Sequence, residues 1–153
     1  SFIRERTSMD RTDYQILNIL QRDSRATLKS IGDQVGLTAP AVSERTRRLE
    51  EQGVIRSYRV QVDRERMSCN MTGFIWVAPE PEKYGEFCDF CLKHPAVIAH
   101  HHTIGVFNAL LQFAVRGTQE LESLLSDIKY YGNSQTSVAL KTYFDCKDIP
   151  LPK

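Results

Sequence analysis

Residues 38 to 51 combine small, polar and basic side chains at the spacing of a single helix. Val42, Thr46 and Leu49 form an apolar line along it. The other side of this helix carries the following residues: Ala39, Ala41, Ser43, Glu44, Arg47 and Arg48. Small residues near a helix start let the backbone enter the major groove of DNA, and Ser, Glu and Arg side chains hydrogen-bond to base edges or phosphates. The pattern therefore predicts a helix that reads DNA.

A second helical pattern lies immediately upstream. Leu28, Ile31 and Val35 recur at i, i+3 and i+7, and Thr27 is a candidate N-cap. The short run Gly36-Leu37-Thr38 separates this pattern from the next one. Two short helices joined by a tight turn that contains glycine predict a helix-turn-helix.

Local signals mark both ends of the helix over residues 38 to 51. Other signals predict a further helix upstream of the helix-turn-helix. Thr38 is an N-cap candidate, Pro40 lies in the first turn, where no N–H is needed, and Gly53 follows the last apolar position. Upstream, Asp10 can cap a helix, and Asp13 completes a capping box with it. The apolar side of that helix is formed by Ile16, Leu17, Ile19 and Leu20. The result is a winged-type, three-helix head from residue 10 to residue 52.

The segment that follows the head has the alternation of a strand. Val54, Tyr58, Val60 and Val62 alternate with polar residues, and the polar run from 64 to 70 predicts a linker. We expect five segments: a leader or tag-like segment 1-8, a helix-turn-helix DNA-binding domain 9-53, a linker strand and hinge 54-71, a ferredoxin-like oligomerisation domain 72-144, and a tail 145-153.

The second half alternates between strand and helix patterns. Strands are predicted at Thr72 to Ala78, Val97 to Ile104, Ala109 to Arg116 and Ser134 to Phe144. Helices are predicted at Glu82 to His94 and from Thr118 to Gly132. The order β-α-β-β-α-β predicts a ferredoxin-like α+β domain, an antiparallel four-stranded sheet with both helices on one face.

The first and third of these strands are apolar on both faces. Helices on one side of a sheet leave the other side open, and an open side is normally polar. A second copy of the chain is therefore the expected cover. The small size of each half also favours an oligomer, because each half alone buries only a modest core.

Cysteine and histidine residues in the second half invite a metal or redox interpretation. Cys88-x-x-Cys91 and His100-His101-His102 offer thiolate and imidazole groups, which are zinc ligands. However, both cysteines fall on the apolar stripe of a predicted helix, and consecutive strand residues point to opposite faces. We therefore favour a role for these cysteines and histidines as core and surface residues, and we predict no metal or cofactor. A metal- or redox-responsive interaction protein built on Cys88, Cys91 and His100 to His102 stays as the alternative.

Composition bounds the remaining function classes. The chain has 153 residues, 41% hydrophobic and 25% charged, and a formal net charge of +1. DNA binding must therefore depend on the local placement of arginine rather than on bulk charge. We find neither a phosphate-binding glycine loop nor a nucleophile elbow, so we expect no enzyme. Four cysteines, no apolar leader and no apolar run that could span a bilayer predict a protein of the reducing cytoplasm.

Many residues in register resemble the signature of one family. The residues that carry the resemblance are Met9-Asp10, Asp13, Ile16-Leu17, Thr38, Val42, Arg45, Leu49-Glu50, Gly53-Val54-Ile55, Tyr58 and Val62-Asp63. They look like the Lrp/AsnC, or feast/famine, regulators. The resemblance covers the chain from Met9 to about Phe144, and it implies pairing through the second domain into dimers that often assemble further.

The same resemblance singles out a turn in the second domain. The family pattern T-G-x-x-D is matched by Ile104-Gly105-Val106-Phe107-Asn108, with Asn in place of Asp. Thr136 matches the first Thr of the family's T-x-T in the last strand, and Val138 stands in place of the second. Small effectors, often amino acids, bind near these positions in the family, so the resemblance implies an effector site there. Turn chemistry alone also accounts for Gly105 and Asn108, since Asn tolerates left-handed backbone.

These observations together predict a sequence-specific, DNA-binding transcriptional regulator. Its partners are double-stranded DNA, other copies of itself in a homodimer, tetramer or octamer, and an amino-acid-like effector; no membrane is involved. The expected groove contacts are Thr38, Ala41, Ser43, Glu44 and Arg47. Arg45 and Arg48 are the expected phosphate clamps.

Overall fold

The structure is a computed structural model, and it describes residues 9 to 152. The predicted leader segment 1-8 lies outside these residues. The described residues form two compact units: one contains residues 9 to 61 together with residues 144 to 152, and the other spans Val62–Tyr143. The structure groups the predicted tail, residues 145 to 152, and Phe144 before it with the unit that contains the head. Within the described range, no helix has the length and apolarity needed to cross a membrane.

Three helices form the head: α1 (Arg11–Arg22), α2 (Leu28–Val35) and α3 (Ala39–Glu51). The predicted capping box of α1 is confirmed, because Asp10 and Asp13 each accept a hydrogen bond from the other's backbone N–H. The Thr27 side chain caps α2 by accepting from the N–H of Ser30. The core between the helices contains Ile16, Ile31 and Val42, with these partly buried neighbours: Ile19, Leu20, Ala26, Val35 and Leu37.

Glycine makes the turn between α2 and α3 possible. Gly36 ends α2 in the left-handed region with φ 73°, where an L side chain is strained. Gly32 packs against the turn so closely that a Cβ would lie 2.3 Å from the carbonyl oxygen of Leu37. The predicted tight turn is thereby confirmed. Gly53, with φ 70°, similarly follows the end of α3.

A buried carboxylate joins α1 to α3. Asp13 is completely buried, and its side chain accepts from Arg45 Nη1 at 2.9 Å and from Arg48 Nη2 at 2.9 and 3.1 Å. Arg45 also donates to Asp10 at 2.7 Å. The two arginines thus satisfy a charge that would otherwise be unpaired in the interior. These bonds set how α3 lies against α1.

The predicted strand from Val54 to Val62 is wrong. This segment has no regular secondary structure in the described chain. A strand needs a neighbour for its backbone N–H and C=O groups, and no described strand pairs with it. Local contacts hold its ends instead: the N–H groups of Val54 and Ile55 donate to the carbonyl of Leu49, and the Tyr58 hydroxyl bonds Glu50 at 2.8 Å. Burial and this bond raise the pKa of Tyr58 to about 12.

The second unit is the predicted ferredoxin-like α+β domain. Its elements are β1 (Met71–Pro79), α4 (Tyr84–Lys93), β2 (Val97–His102), β3 (Ala109–Val115), α5 (Thr118–Lys129) and β4 (Gly132–Val138). The sheet order is β2-β3-β1-β4, and every neighbouring pair is antiparallel. A 3-10 turn at Pro81–Lys83 precedes α4. The last strand begins at Gly132 and ends at Val138, six residues short of the predicted Phe144.

One face of the sheet carries the core and the other is open. Ile75, Leu111 and Phe113 are fully buried in the cluster that packs with Leu124 and Ile128 of α5. Their neighbours along each strand point the other way. The open face carries Phe74, Trp76 and Leu110, of which Phe74 is 41% exposed. The predicted two-sided apolar character of β1 and β3 is therefore confirmed.

The cysteines and histidines behave as core and surface groups. Cys91 is buried in the same cluster, and burial raises the pKa of its thiol to about 12. His100 packs edge-on against Phe87, and its partial burial lowers its pKa. Among residues 9 to 152, no three His, Cys, Asp or Glu side chains are grouped so that they could hold a metal ion. All four cysteines are free thiols.

We expect Asp13→Asn to destabilise the head by about 1.5–3 kcal/mol, because Asn keeps one acceptor but removes the charge that holds Arg45 and Arg48. The change is measured as the free energy of unfolding in urea. Asp33→Asn is the matched control, since it removes an exposed carboxylate from α2. Equal stability of the two variants would contradict a structural role for the buried carboxylate.

Candidate nucleic-acid interface

One side of α3 is exposed along its whole length. Its exposed residues recur at the spacing that keeps them on one side of a helix: Pro40, Ser43, Glu44, Arg47 and Glu51. Val42 and Leu49, on the opposite side, are fully buried. The apolar contacts of the head therefore hold α3 so that this exposed stripe faces solvent.

The start of α3 has a free hydroxyl and small side chains. Thr38 occupies the N-cap position with extended backbone, but its side chain makes no capping hydrogen bond. Its hydroxyl therefore remains able to bond a phosphate or base. Ala41 is half-buried and lies at the flank of the exposed stripe, and Pro40 occupies the first turn.

Two glutamates surround the central arginine of the stripe. Arg47 donates from Nε and Nη2 to Glu44 at 3.2 and 2.6 Å, and from Nη1 to Glu51. The hydrogen bonds from Arg47 lower the pKa of Glu44 and, in turn, raise the pKa of Arg47. Since all three side chains are more than half exposed, these ion pairs are weak and exchangeable. Arg47 can therefore leave them for DNA.

Arg45 and Arg48 have different surroundings from those expected of phosphate clamps. The Arg45 side chain is only 27% exposed, and hydrogen bonds to Asp10 and Asp13 raise its pKa. Arg48 also bonds Asp13, but 44% of its side chain is exposed. Both guanidinium groups donate hydrogen bonds to Asp13 within the head. Arg48 is the more exposed of the two side chains.

Glu51 is the interface residue that sequence reasoning missed. It lies four residues after Arg47, which is the spacing at which side chains meet on a helix. That spacing was the available signal. Its consequence is that the exposed stripe carries two carboxylates for one arginine.

A second candidate site lies at the turn between β2 and β3. The Thr103 hydroxyl donates to the carbonyl of Phe107 at 2.9 Å, and the Thr103 N–H donates to the carbonyl of Asn108 at 2.9 Å. Gly105 takes φ 141°, a conformation that side chains rarely adopt. An open cavity of about 300 Å³ adjoins the turn, and it is lined by Trp76, Ile104, Gly105, Val106, Phe107 and Gln135.

The sheet register divides the predicted effector residues. Thr136 pairs with Ile75 and Val138 pairs with Gly73, so these two side chains point to the helix-covered face. Gln135 pairs with Trp76 and points to the open face instead. The structure therefore joins Gly105, Val106 and Phe107 with Trp76 and Gln135. It does not bring Thr136, Val138 or Asn108 into the lining of the cavity.

Asn108 ends the turn with an unsatisfied acceptor. Its side-chain oxygen Oδ1 is buried, and no described residue donates a hydrogen bond to it. A buried acceptor without a donor is unfavourable, so a ligand that supplies a donor would be stabilised there.

Comparison with protein families assigns both units. Residues 9–56 match a family model described as winged helix-turn-helix DNA-binding. Residues 72–149 match the Lrp/AsnC ligand binding domain. Each match covers the corresponding structural element group: α1 to α3 in the first case, and the four-stranded sheet with its two helices in the second.

Similar proteins span nearly the whole chain. The HTH-type transcriptional regulator YezC of Bacillus subtilis is 33% identical over 134 residues, which are 88% of this chain and 95% of that protein. The HTH-type transcriptional regulator FL11 of Pyrococcus horikoshii is 29% identical over 149 residues, covering 95% and 99% of the two chains.

Solved structures share the fold. The B. subtilis LrpC structure superposes with a TM-score of 0.85 at 23% identity, covering 92% of this chain and 100% of that one. The Neisseria meningitidis regulator NMB0573, solved as a complex with L-Met, gives 0.87 at 23% identity, covering 94% and 97%. The helix-turn-helix head, the ferredoxin-like domain and the two family matches lead to one conclusion: the chain belongs to the Lrp/AsnC family of DNA-binding transcriptional regulators that carry a ligand-binding domain.

Proposed function

We propose that the exposed stripe of α3 reads the major groove. The observation that carries this proposal is the position of Arg47 at the centre of that stripe, on the side opposite the buried Val42 and Leu49. Arg47 donates to guanine, Glu44 accepts from a cytosine amine, and Ser43 and Thr38 bond bases or phosphates at the helix start.

The remaining predicted contacts take supporting roles in this proposal. Ala41, half-buried at the flank, lets the helix backbone approach the groove. Arg48 contacts phosphate with its exposed portion, while Arg45 holds α3 in place through Asp10 and Asp13. Arg45 thus acts as a positioning residue rather than as the phosphate clamp that the sequence suggested.

The functional unit in this proposal is a homodimer. The open sheet face, with Phe74, Trp76 and Leu110, is apolar where solvent would favour polar residues. A second copy that covers this face removes it from water. Two linked heads then read half-sites about 34 Å apart or multiples of that distance. Further pairing of dimers gives a tetramer or octamer and raises apparent affinity through effective concentration.

The effector in this proposal is an amino acid or a close relative of one, bound at the turn Gly105 to Asn108. The cavity of about 300 Å³ suits a small molecule, and Trp76 and Gln135 give it an apolar wall and an amide. The Gln135 amide oxygen offers an acceptor for an ammonium group, because the side-chain oxygen of Asn108 is buried and lies outside the lining of the cavity. The N. meningitidis regulator of the same fold was solved with L-Met, which makes that amino acid the first to test.

Arg47→Ala should weaken binding to the preferred operator on the order of ten- to a hundredfold and reduce discrimination between sequences, because a base contact is lost. Arg48→Ala should weaken operator and random DNA alike, because Arg45 still donates to Asp13 and holds α3, and the lost phosphate contacts carry no sequence information. Fluorescence anisotropy with both DNAs at one fixed salt concentration measures this. Equal losses on the two DNAs for both variants would refute the division of roles.

Glu51→Gln should tighten binding to random DNA by about three- to tenfold and steepen its salt dependence, since it removes a charge that repels phosphate and releases Arg47. The same anisotropy assay over a salt series gives both quantities. Glu122→Gln, which removes an exposed carboxylate from α5, is the control for net charge. Identical effects of the two substitutions would show that Glu51 has no local role.

Thermal unfolding with millimolar L-Met, other amino acids and related keto acids tests the effector. A ligand at a hundred times its Kd adds about 2.7 kcal/mol of stability, which shifts the midpoint by a few degrees. We expect one such shift, lost in Gln135→Ala and retained in Gln119→Ala, which changes an exposed glutamine of α5. If no compound shifts the midpoint, the proposal of an amino-acid effector is contradicted. If the shift persists in Gln135→Ala, the effector binds at a site other than this cavity.

A further inference from the structure

A groove lies on the head beside α1. It encloses about 570 Å³, and its apolar wall includes Leu17 and Leu20 of α1 together with Val54 and Ile55 of the following segment. Residues of the C-terminal segment also line it: Cys146, Ile149 and Leu151. Neither the DNA-reading stripe of α3 nor the cavity at the effector turn shares residues with this groove.

The end of the chain crosses the groove through paired polar contacts. Gln21 of α1 donates from Nε2 to the carbonyl of Ile149 at 3.1 Å, and its Oε1 accepts from the N–H of Ile149 at 2.7 Å. One side-chain amide thus satisfies both backbone groups of one residue, as a neighbouring strand would. Beside it, Arg22 forms an ion pair with Asp148 at 3.7 Å.

The segment lies over the groove without filling it. Residues 139 to 152 have no regular secondary structure, and Ile149 is 67% exposed although it lines the cavity. Few buried apolar contacts and exposed hydrogen bonds are the features of segments that open readily. The C-terminal segment therefore makes few contacts with α1, although each has a defined geometry.

We propose that this groove is a docking site for an extended peptide, and that its occupant is the chain's own C-terminal segment Asp148 to Leu151, which binds and leaves. The chemistry is complementary at each position. Asp148 meets the Arg22 guanidinium, and the backbone of Ile149 meets the Gln21 amide. Ile149 and Leu151 line the groove together with the apolar residues of the head.

Docking has a consequence for the DNA-reading helix. The match to the ligand-binding domain extends to residue 149, yet the structure packs the residues from Phe144 onward with the head. The segment attaches to α1, and α1 carries the buried Asp13 that holds Arg45 and Arg48 of α3. Occupancy of the groove by the C-terminal segment is therefore connected through α1 to the placement of α3.

Hydrogen exchange at the Ile149 amide tests the docking in the full-length protein without DNA or effector. We expect exchange about tenfold or more slower than in an unstructured chain, because Gln21 accepts that hydrogen. Gln21→Met, similar in shape but without polar groups, should abolish the protection, and Gln15→Met, an exposed position of the same helix, should preserve it. Free exchange in the unaltered protein, or protection that survives Gln21→Met, would overturn the proposal.

A second measurement supplies the segment in trans. A chain that ends at Tyr143 should bind a synthetic peptide of residues 144 to 153, and the midpoint of its thermal unfolding should rise with peptide concentration. A peptide with Ile149→Pro, which lacks the N–H that Gln21 accepts, should have no effect. Equal effects of the two peptides, or none from either, would refute recognition by Gln21. Neither assay depends on DNA binding, so their failure leaves the proposed reading of DNA untouched.

Discussion

The buried carboxylate of Asp13 is the constraint on which the head depends. A charge that is fully removed from solvent must find partners, and the nearest donors are Arg45 and Arg48 of α3, the helix proposed to read DNA. The requirement to satisfy Asp13 therefore fixes the rotation of α3 about its axis. Once α3 is fixed in this way, its exposed side is determined as well, and Arg47 lies on it. The same hydrogen bonds therefore satisfy the buried Asp13 carboxylate and place Arg47 on the surface that is proposed to read DNA.

The same arrangement explains how a chain with a formal net charge of +1 can be a DNA-binding protein. Of the three arginines in α3, two have carboxylate partners within the head, and the third has partners of its own on the surface. Such a surface attracts phosphate only weakly until DNA displaces the carboxylates. When the general attraction for phosphate is weak and DNA must replace the carboxylate partners of arginine, discrimination between sequences is favoured over tight binding to any DNA. In the proposed oligomer, several linked heads would raise the apparent affinity for DNA through effective concentration.

Sequence patterns predicted those parts of the structure that depend on neighbouring residues. Helical spacing, caps and the Gly36 turn identified the head, and strand alternation identified the ferredoxin-like domain. Errors arose where distant residues decide. The alternation from Val54 to Val62 resembles a strand, but no described strand pairs with it. The placement of Thr136 and Val138 at the effector site stays a prediction from a motif, and the pairing of β4 with β1 points both side chains to the covered face. Likewise, the pairing of Arg45 with Asp13 spans 32 positions and has no local signal.

The chain has a single tryptophan, and it lies on the open face of the sheet beside the effector turn. Trp76 is half-buried in one copy, and it lines the cavity formed by Gly105, Val106 and Phe107. Indole emission responds to the polarity around the ring, and all of it comes from this one position. The unmodified protein therefore carries an intrinsic optical reporter at the place where a second copy or a small molecule would exclude water, while the head contributes no indole signal.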